Sequence, residues 1–249
     1  MTEPDDGPAP DVSVSIVNTS SRELLVACLH ALAADRDGSV SVDVTVLDNA
    51  SEDGSADAVR ESFPWARVIE QRHRAGFGAN HNTVIRATRG RYVYVLNEDA
   101  TVEAGSFERL VAYMDARPEV AAVGPRIRYP DGRHQPSAWR FPSPGTAALG
   151  TITLSRVGVE QSRGDEARRV GWAMGCALLL RREALERIGL FDERFFIYSE
   201  ETDLCRRLAD AGYETHFLPD VTVYHHVSQF SADAPERRIN EEWRSRARY

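Results

Sequence analysis

Three clusters of acidic and imidazole side chains in the 249-residue sequence could carry chemistry. Asn97-Glu98-Asp99 follows the β-rich run Tyr92–Leu96, which places its carboxylates at the end of a strand. A carboxylate there, beside other oxygen ligands, suits a hard divalent cation, Mg²⁺ or Mn²⁺, of the kind that also binds a diphosphate. A turn with ordinary capping acids would use the same letters. Ser199-Glu200-Glu201-Thr202-Asp203 puts three carboxylates at a helix start. Acids there complement the helix macrodipole, but three are more than one cap requires. The aromatic Phe195-Phe196-Ile197-Tyr198 just before them can supply an apolar wall. Such a wall raises a carboxylate pKa by desolvation and readies it as a general base toward an acceptor hydroxyl. His225-His226 closes a strand near the C-terminus; neighbours on a strand point to opposite faces, so one of the two can meet the site. For that histidine a metal-ligand role and a simple surface role are both open.

These clusters need a frame. Val12–Val17, Val42–Leu47, Arg67–Glu70, Tyr92–Leu96 and Val120–Val123 read as strands. Between them lie helical segments: the stripe Leu24, Leu25, Cys28, Leu29, Leu32 after a Ser20–Glu23 capping-box spacing, then Ser55–Phe63, Phe77–Thr88, and the stripe Phe107, Leu110, Val111, Met114. This alternation predicts an α/β fold: a mostly parallel central sheet with right-handed crossovers and helices on both faces, in one domain. Ligands of such sheets bind beyond the carboxyl ends of the strands, which is where Asp48-Asn49 and Asn97-Glu98-Asp99 fall. From Arg126 to Val170 the pattern dissolves into Pro, Gly, Arg and Ser, as in a binding loop or lid. Order returns with the strand Ala177–Leu180, helices over Arg182–Arg187 and Glu200–Ala211, and strands Tyr213–Leu218 and Val221–Tyr224. Residues 1–10 read as a disordered segment, 11–230 as the folded domain and 231–249 as a charged tail or solvated helix.

Composition removes other classes. Thirty Lys+Arg against 38 Asp+Glu give a net charge of −8, which argues against nucleic acid as a partner. Apolar runs such as Ala173–Leu180 fall well short of the roughly 20 residues of a membrane helix. Met1–Pro10, acidic and proline-rich, is the opposite of a signal peptide. The three cysteines, Cys28, Cys176 and Cys205, include no CxxC, so a disulfide framework or zinc site is disfavoured and a reducing cytoplasm favoured. Arg74-Ala75-Gly76-Phe77-Gly78-Ala79-Asn80 holds half of a dinucleotide fingerprint, but His81 stands at the third glycine and the segment does not follow the first strand. A nicotinamide cofactor is therefore disfavoured, although glycines before a helix can let a phosphate or sugar approach the backbone.

Val12-Ser13-Val14-Ser15-Ile16-Val17-Asn18 followed by Val46-Leu47-Asp48-Asn49-Ala50-Ser51-Glu52-Asp53-Gly54-Ser55 resembles the opening of the family 2 inverting glycosyltransferases with a GT-A (Rossmann-like, nucleotide-binding) fold. Gly76-Phe77-Gly78-Ala79-Asn80-His81-Asn82, Leu96-Asn97-Glu98-Asp99 and the long run from Gly189 to Cys205 resemble later motifs of that family, in its order. The rhamnosyltransferase-like enzymes of cell-surface glycan assembly are the most similar subgroup. The resemblance implies that Asp48 contacts the nucleotide base or ribose, in a pocket shared with Val17, Asn18, Asn49, Gly76, Asn82, Asn97 and Glu98. It implies that Asn97-Glu98-Asp99 replaces the family's DxD motif, with Asp99 on the metal and diphosphate and His225 completing the metal site. Glu201 falls where the family keeps its catalytic acid, with Glu200 as second candidate; Trp172, Gly175, Cys176 and Asp203 would lie by the sugar and acceptor.

The implied reaction is inverting transfer of a sugar, L-rhamnose from dTDP-rhamnose being the first choice over UDP-linked donors, to a hydroxyl of a glycan or lipid-linked acceptor. The implied cofactor is Mg²⁺ or Mn²⁺, and the implied setting is the cytoplasm, with peripheral association at the inner membrane face or a homodimer left open. A non-catalytic nucleotide-sugar-binding subunit is the alternative. A sugar nucleotidyltransferase would want a glycine-rich basic loop after the first strand, and Asn18-Thr19-Ser20-Ser21 offers none. A scaffold using Phe191–Tyr198 as a partner surface would require that segment to be exposed.

Overall fold

A computed structural model describes residues 8–35, 38–141 and 160–226. The expectations for residues 1–7, for the centre of the 126–170 stretch and for the 231–249 tail, including its arginines, lie outside the described residues.

Strands β1 (Val12–Asn18), β2 (Val42–Asp48), β3 (Ala66–Glu70) and β4 (Tyr92–Asn97) pair in parallel, in the order β3-β2-β1-β4. The crossovers are helices α1 (Arg22–Asp35), α2 (Ser55–Ser62) and α3 (Phe77–Ala87). Alternation along β1 sets the two layers. Val12, Val14 and Ile16 face the core shared with Leu25, Leu29 and Leu32 of α1, while Ser15 on the other face meets His81 of α3. Val93 and Val95 of β4 belong to the second core, with Ile85 of α3. Both faces of the sheet are thus covered, as parallel strands require.

The second half adds β5 (Ala100–Val102), α4 (Ser106–Asp115), β6 (Val120–Arg128), the short strands β7 (His134–Gln135), β8 (Ala138–Trp139), β9 (Arg168–Val170) and β10 (Trp172–Ala173), then β11 (Ala177–Arg181), α5 (Arg182–Ile188), α6 (Glu200–Asp210) and β12 (Glu214–His225). The central sheet continues β4-β11-β6-β12-β5. It is mixed and mostly parallel: β11 runs antiparallel to both β4 and β6, whereas β6 and β12 are parallel.

Several local expectations change. Ser20 does not cap α1; its hydroxyl accepts from Glu52 N, and the helix start is tied instead by Arg22 N donating to Asp53 Oδ2 at 2.9 Å. β6 runs on through Gly124-Pro125 to Arg128, because Gly124 leaves room for β10: a Cβ there would stand 2.5 Å from Ala173 Cβ. β7, β8 and β9 occupy part of the stretch that looked patternless. The two expected C-terminal strands are one, β12, with its pairing interrupted between Leu218 and Thr222, where Pro219 has no N–H to give.

The amino end of α3 sits directly on the segment preceding α6. Phe77 N donates to Phe196 O at 2.8 Å, and a Cβ on Gly76 would lie 2.6 Å from that carbonyl oxygen. The close approach that these glycines allow is therefore made by protein backbone. Asn82 holds the same segment through both amide atoms, donating to Phe191 O (2.8 Å) and accepting from Phe191 N (3.0 Å). Gly76→Ala should force these backbones apart and cost about 1–3 kcal/mol, the usual range for overpacking a tight site. A lowered midpoint in urea denaturation, at unchanged slope, is the expected result.

Candidate functional site

Parallel register lines up the carboxyl ends of three strands: Asn18 is opposite Asp48, and Val17 is opposite Asn97. Asp48 is buried, and both its carboxylate oxygens accept from Ser51 N at 3.2 Å. Asn18 is fully buried, donating to Ser51 Oγ and accepting from Ser21 N, while Asn49 bonds Thr19 and the Ala75 backbone. These two amides therefore build the floor of the strand-end cleft. Asn82 Nδ2 donates to Phe191 O and Glu193 Oε1. Gly76 is filled by Phe196.

Asp99 and His225 meet because β5 pairs antiparallel with β12, with Ala100 opposite His225. Both side chains are buried, and His225 Nε2 lies 3.2 Å from Asp99 Oδ1. The other ring nitrogen faces the amide of Gln135, and Asn97 Nδ2 is 3.5 Å from Nε2. His226 is exposed, so one histidine of the pair reaches the site, as strand alternation requires. Gln135 is a site residue that sequence reasoning missed. A single glutamine after a turn carries no signal; only the β6–β7 pairing brings it to His225.

Glu200 and Glu201 open α6. Before them Tyr198 and Ser199 take left-handed backbone angles, φ 70° and 73°. Non-glycine residues pay for that conformation with steric crowding. Among the described residues the other two such positions, Ser20 and Ala50, follow β1 and β2 at the same cleft. Backbone strain is thus concentrated in the loops around the strand ends, a common property of functional sites. Glu200 is buried, with Oε2 lacking a hydrogen-bond partner, and burial followed by the Glu201 charge pushes its carboxyl well up. Glu201 keeps a strip of accessible surface, but its carboxyl lies deep enough that desolvation raises it to about 7. Glu98 behaves alike, raised to about 8 by desolvation and then by the Asp99 charge.

The two acid clusters share one neighbour. Cys176 O accepts from Asn97 N at 2.9 Å, and a Cβ on the adjacent Gly175 would stand 3.6 Å from Glu201 Cβ. The buried Cys176 thiol is pushed up by burial, then by the Asp99 charge, then by the Glu201 charge. Asp99 and Glu201 both lie close enough to the Gly175–Cys176 segment for their charges to act on the Cys176 thiol. Two other expected residues have protein partners of their own. Asp203 pairs with Arg207 at 2.7 Å, and Trp172 stacks on Trp139 with ring centroids 4.2 Å apart.

Among the described residues no group of three or more His, Cys, Asp or Glu side chains is arranged to hold a metal ion. The Asp99–His225 pair still fits a divalent cation of the Mg²⁺ type. Such ions take one or two protein carboxylates and fill the remaining positions with water and substrate phosphate oxygens. A cleft of about 260 Å³ lined by Arg140, Phe141, Arg169 and Tyr213 lies at the far end of α6, away from these acids. Within the aromatic segment the rings of Phe191 and Phe195 are buried and that of Phe196 is exposed.

A doubly covered α/β sheet with desolvated carboxylates beyond its strand ends is an architecture that binds ligands at those ends. Comparisons identify the family. The model described as "Glycosyltransferase like family 2" matches residues 8–246, and the chain belongs to that family. It is 32% identical to the N-acetylglucosaminyl-diphospho-decaprenol L-rhamnosyltransferase of Mycobacterium tuberculosis, over 92% of this chain and 80% of that protein. It is 25% identical to the rhamnosyltransferase WbbL of Escherichia coli, over 61% of each chain. Its fold is like that of GalNAc-T7 solved with UDP, GalNAc and Mn²⁺ (TM-score 0.65, 16% identity, 89% of this chain and 44% of that one). It is also like that of the mannosyltransferase PcManGT of Pyrobaculum calidifontis in complex with GDP-Man and Mn²⁺ (TM-score 0.64, 23% identity, 91% and 59%). The chain spans roughly half the length of those two solved proteins. No helix among the described residues is long and apolar enough to cross a membrane.

The raised Glu201 carboxyl links the site to stability. An ordinary glutamate titrates at 4.5, so between 4.5 and about 7 the folded state keeps a proton that the unfolded chain releases. The stabilising contribution of that proton is complete below 4.5, falls as pH rises through the interval and is gone above it. Glu201→Gln, a permanently neutral isostere, should match the wild type at pH 4.5. At pH 8 it should be more stable by on the order of 1–3 kcal/mol, read from urea denaturation at the two pH values.

Proposed function

We propose that this glycosyltransferase moves L-rhamnose from dTDP-L-rhamnose to a hydroxyl of a lipid-linked glycan acceptor, with inversion at the anomeric carbon, in cell-surface polysaccharide synthesis. The sugar and the lipid-linked acceptor are carried by the M. tuberculosis relative, whose name specifies rhamnosyl transfer to an N-acetylglucosaminyl-diphospho-decaprenol. The observation that supports the chemistry is that Glu201 and the Asp99–His225 pair both lie near Gly175–Cys176.

In this reading the nucleotide lies over the strand ends, with its base and ribose against Val17, Asp48 and the floor made by Asn18 and Asn49. Asp99 and His225 would hold Mg²⁺ or Mn²⁺ together with the diphosphate. A cation bound there supplies positive charge against the charge that develops on the leaving diphosphate. Glu201, ionised, accepts the proton of the acceptor hydroxyl as the oxygen attacks the anomeric carbon from the face opposite the diphosphate. One base and no protein nucleophile suffice for a single displacement. A base whose pKa lies near the working pH combines a useful ionised fraction with adequate basicity, and desolvation by burial brings Glu201 into that range. Burial and the neighbouring Glu201 charge push the Glu200 carboxyl well up, which disfavours a second negative charge beside the donor.

Transfer should rise about tenfold per pH unit below about 7 and level off above it, as the base ionises. Glu201→Gln should cut turnover on the order of 10²–10⁴-fold and abolish that pH limb while leaving dTDP binding intact. Rhamnosyl transfer to a synthetic N-acetylglucosaminyl-diphospholipid measures both; near-normal turnover in this variant would remove Glu201 from the role. Asp99→Ala should eliminate Mn²⁺-dependent dTDP binding in calorimetry, whereas unchanged affinity would refute the metal assignment.

A further inference from the structure

His225 Nδ1 lies 3.1 Å from Gln135 Nε2 and 3.3 Å from Gln135 Oε1, so either end of the amide can bond the same ring nitrogen. Gln135 and His225 are both more than nine-tenths buried, and no water is needed to complete the contact. The placement is built by the sheet. Gln135 pairs with Ile127 on one edge of β6, and Ile127 pairs with Val223 of β12 on the other. Val223 and His225 share a face of their strand, so the glutamine reaches diagonally across β6 to the ring. The two-residue strand β7 is pinned on both sides. His134 Nε2 lies 2.6 Å from Glu160 Oε1, and Ser137 N donates to Ser162 Oγ at 3.0 Å. The turn before it closes through Tyr129 N donating to Arg133 O, with Gly132 at φ 82°.

A neutral imidazole carries one N–H and one lone pair, and the partner of one nitrogen decides the role of the other. With Nε2–H directed at Asp99, Nδ1 is an acceptor and requires the Gln135 NH₂. With the Nε2 lone pair directed at a cation, Nδ1 carries the proton and requires the Gln135 carbonyl. Turning the amide over supplies either partner without moving the backbone. We propose that Gln135 is a positioning residue that matches whichever tautomer His225 holds, turning its amide as Nε2 changes from an Asp99 donor to a cation ligand. The second half of this assignment rests on the Asp99–His225 cation reading above; the first half stands on the Gln135 hydrogen bonds and the 3.2 Å approach of Nε2 to Asp99 Oδ1.

Two variants separate the states. Gln135→Glu offers Nδ1 an acceptor only, and Gln135→Met offers neither partner. Two-bond ¹H–¹⁵N spectra of the histidine-labelled full chain without added metal should show His225 as the Nε2–H tautomer in the wild type. The Nδ1–H tautomer should appear in Gln135→Glu, and a mixture in Gln135→Met. In Mn²⁺ titration calorimetry with dTDP present, Gln135→Met should bind the ion 10–100-fold more weakly, the usual cost of losing an outer hydrogen-bond partner of a ligating histidine. Gln135→Glu should stay close to wild type, although both variants lose the native amide equally. A structural role alone would weaken both variants together and leave the tautomer unchanged, which would overturn the proposal. If the wild type binds no Mn²⁺, the cation reading fails, and the ¹⁵N spectra still decide whether Gln135 governs the ring.

Discussion

The 2.9 Å hydrogen bond from Asn97 N to Cys176 O fastens the acid-bearing end of β4 to the entry of β11, and the arrangement of the site depends on that join. Because β11 is antiparallel to β4, the chain must arrive at the strand-end face of the sheet before it can pair. The residues that bring it there, Trp172 through Gly175, are thereby laid along the same face as Asp99. Gly175 has no side chain, so the first turn of α6 can close over it, and Glu201 comes to rest beside it with its carboxyl desolvated. A parallel strand in the position of β11 would have delivered this segment to the opposite end of the sheet.

Holding that geometry is unfavourable in isolation. Glu98, Glu200 and Glu201 are all pushed up by burial, and Glu98 and Glu200 are raised further by a neighbouring carboxylate. Backbone strain at Ser20, Ala50, Tyr198 and Ser199 adds to the cost. The opposing contributions are apolar and backbone contacts nearby. Asn82 clamps Phe191, the α3 amino end accepts the Phe196 carbonyl without an intervening side chain, and two hydrophobic cores close both faces of the sheet. The site is thus a strained, poorly solvated acid cluster carried by a well-packed scaffold, the usual balance between stability and activity.

The comparisons and the physics address different parts of the molecule. Sequence similarity establishes the family across nearly the whole chain, and the two solved neighbours, at 16% and 23% identity, establish the fold alone. What distinguishes this chain within the fold is its own chemistry. It has Asn97, Glu98 and Asp99 at a strand end, Glu201 as the candidate base, and a histidine whose second nitrogen is answered by an amide.

The order of strands and helices through β4, the two-faced burial of the sheet and the location of acids beyond strand ends were legible in the letters. Hydrophobic periodicity is local, and it reports directly on which face of an element is covered. The two acid clusters could be flagged from the residues, and the family resemblance singled out Asp99 and Glu201 within them. The roles of Asn18, Asn49, Asn82 and Gly76 were decided by packing. An asparagine or glycine in a loop motif serves a ligand or the backbone equally well until its neighbours are known, and here Ser51, Ala75, Phe191 and Phe196 are those neighbours. Strands as short as β7 and β10 have no periodicity to read, so the arrival of Gln135 at His225 and of Gly175 beside Glu201 was settled only by long-range pairing. Residue types and local spacing determined which groups could react; the sheet's register and direction decided which of them meet, since hydrogen bonds between distant strands leave no mark in local sequence.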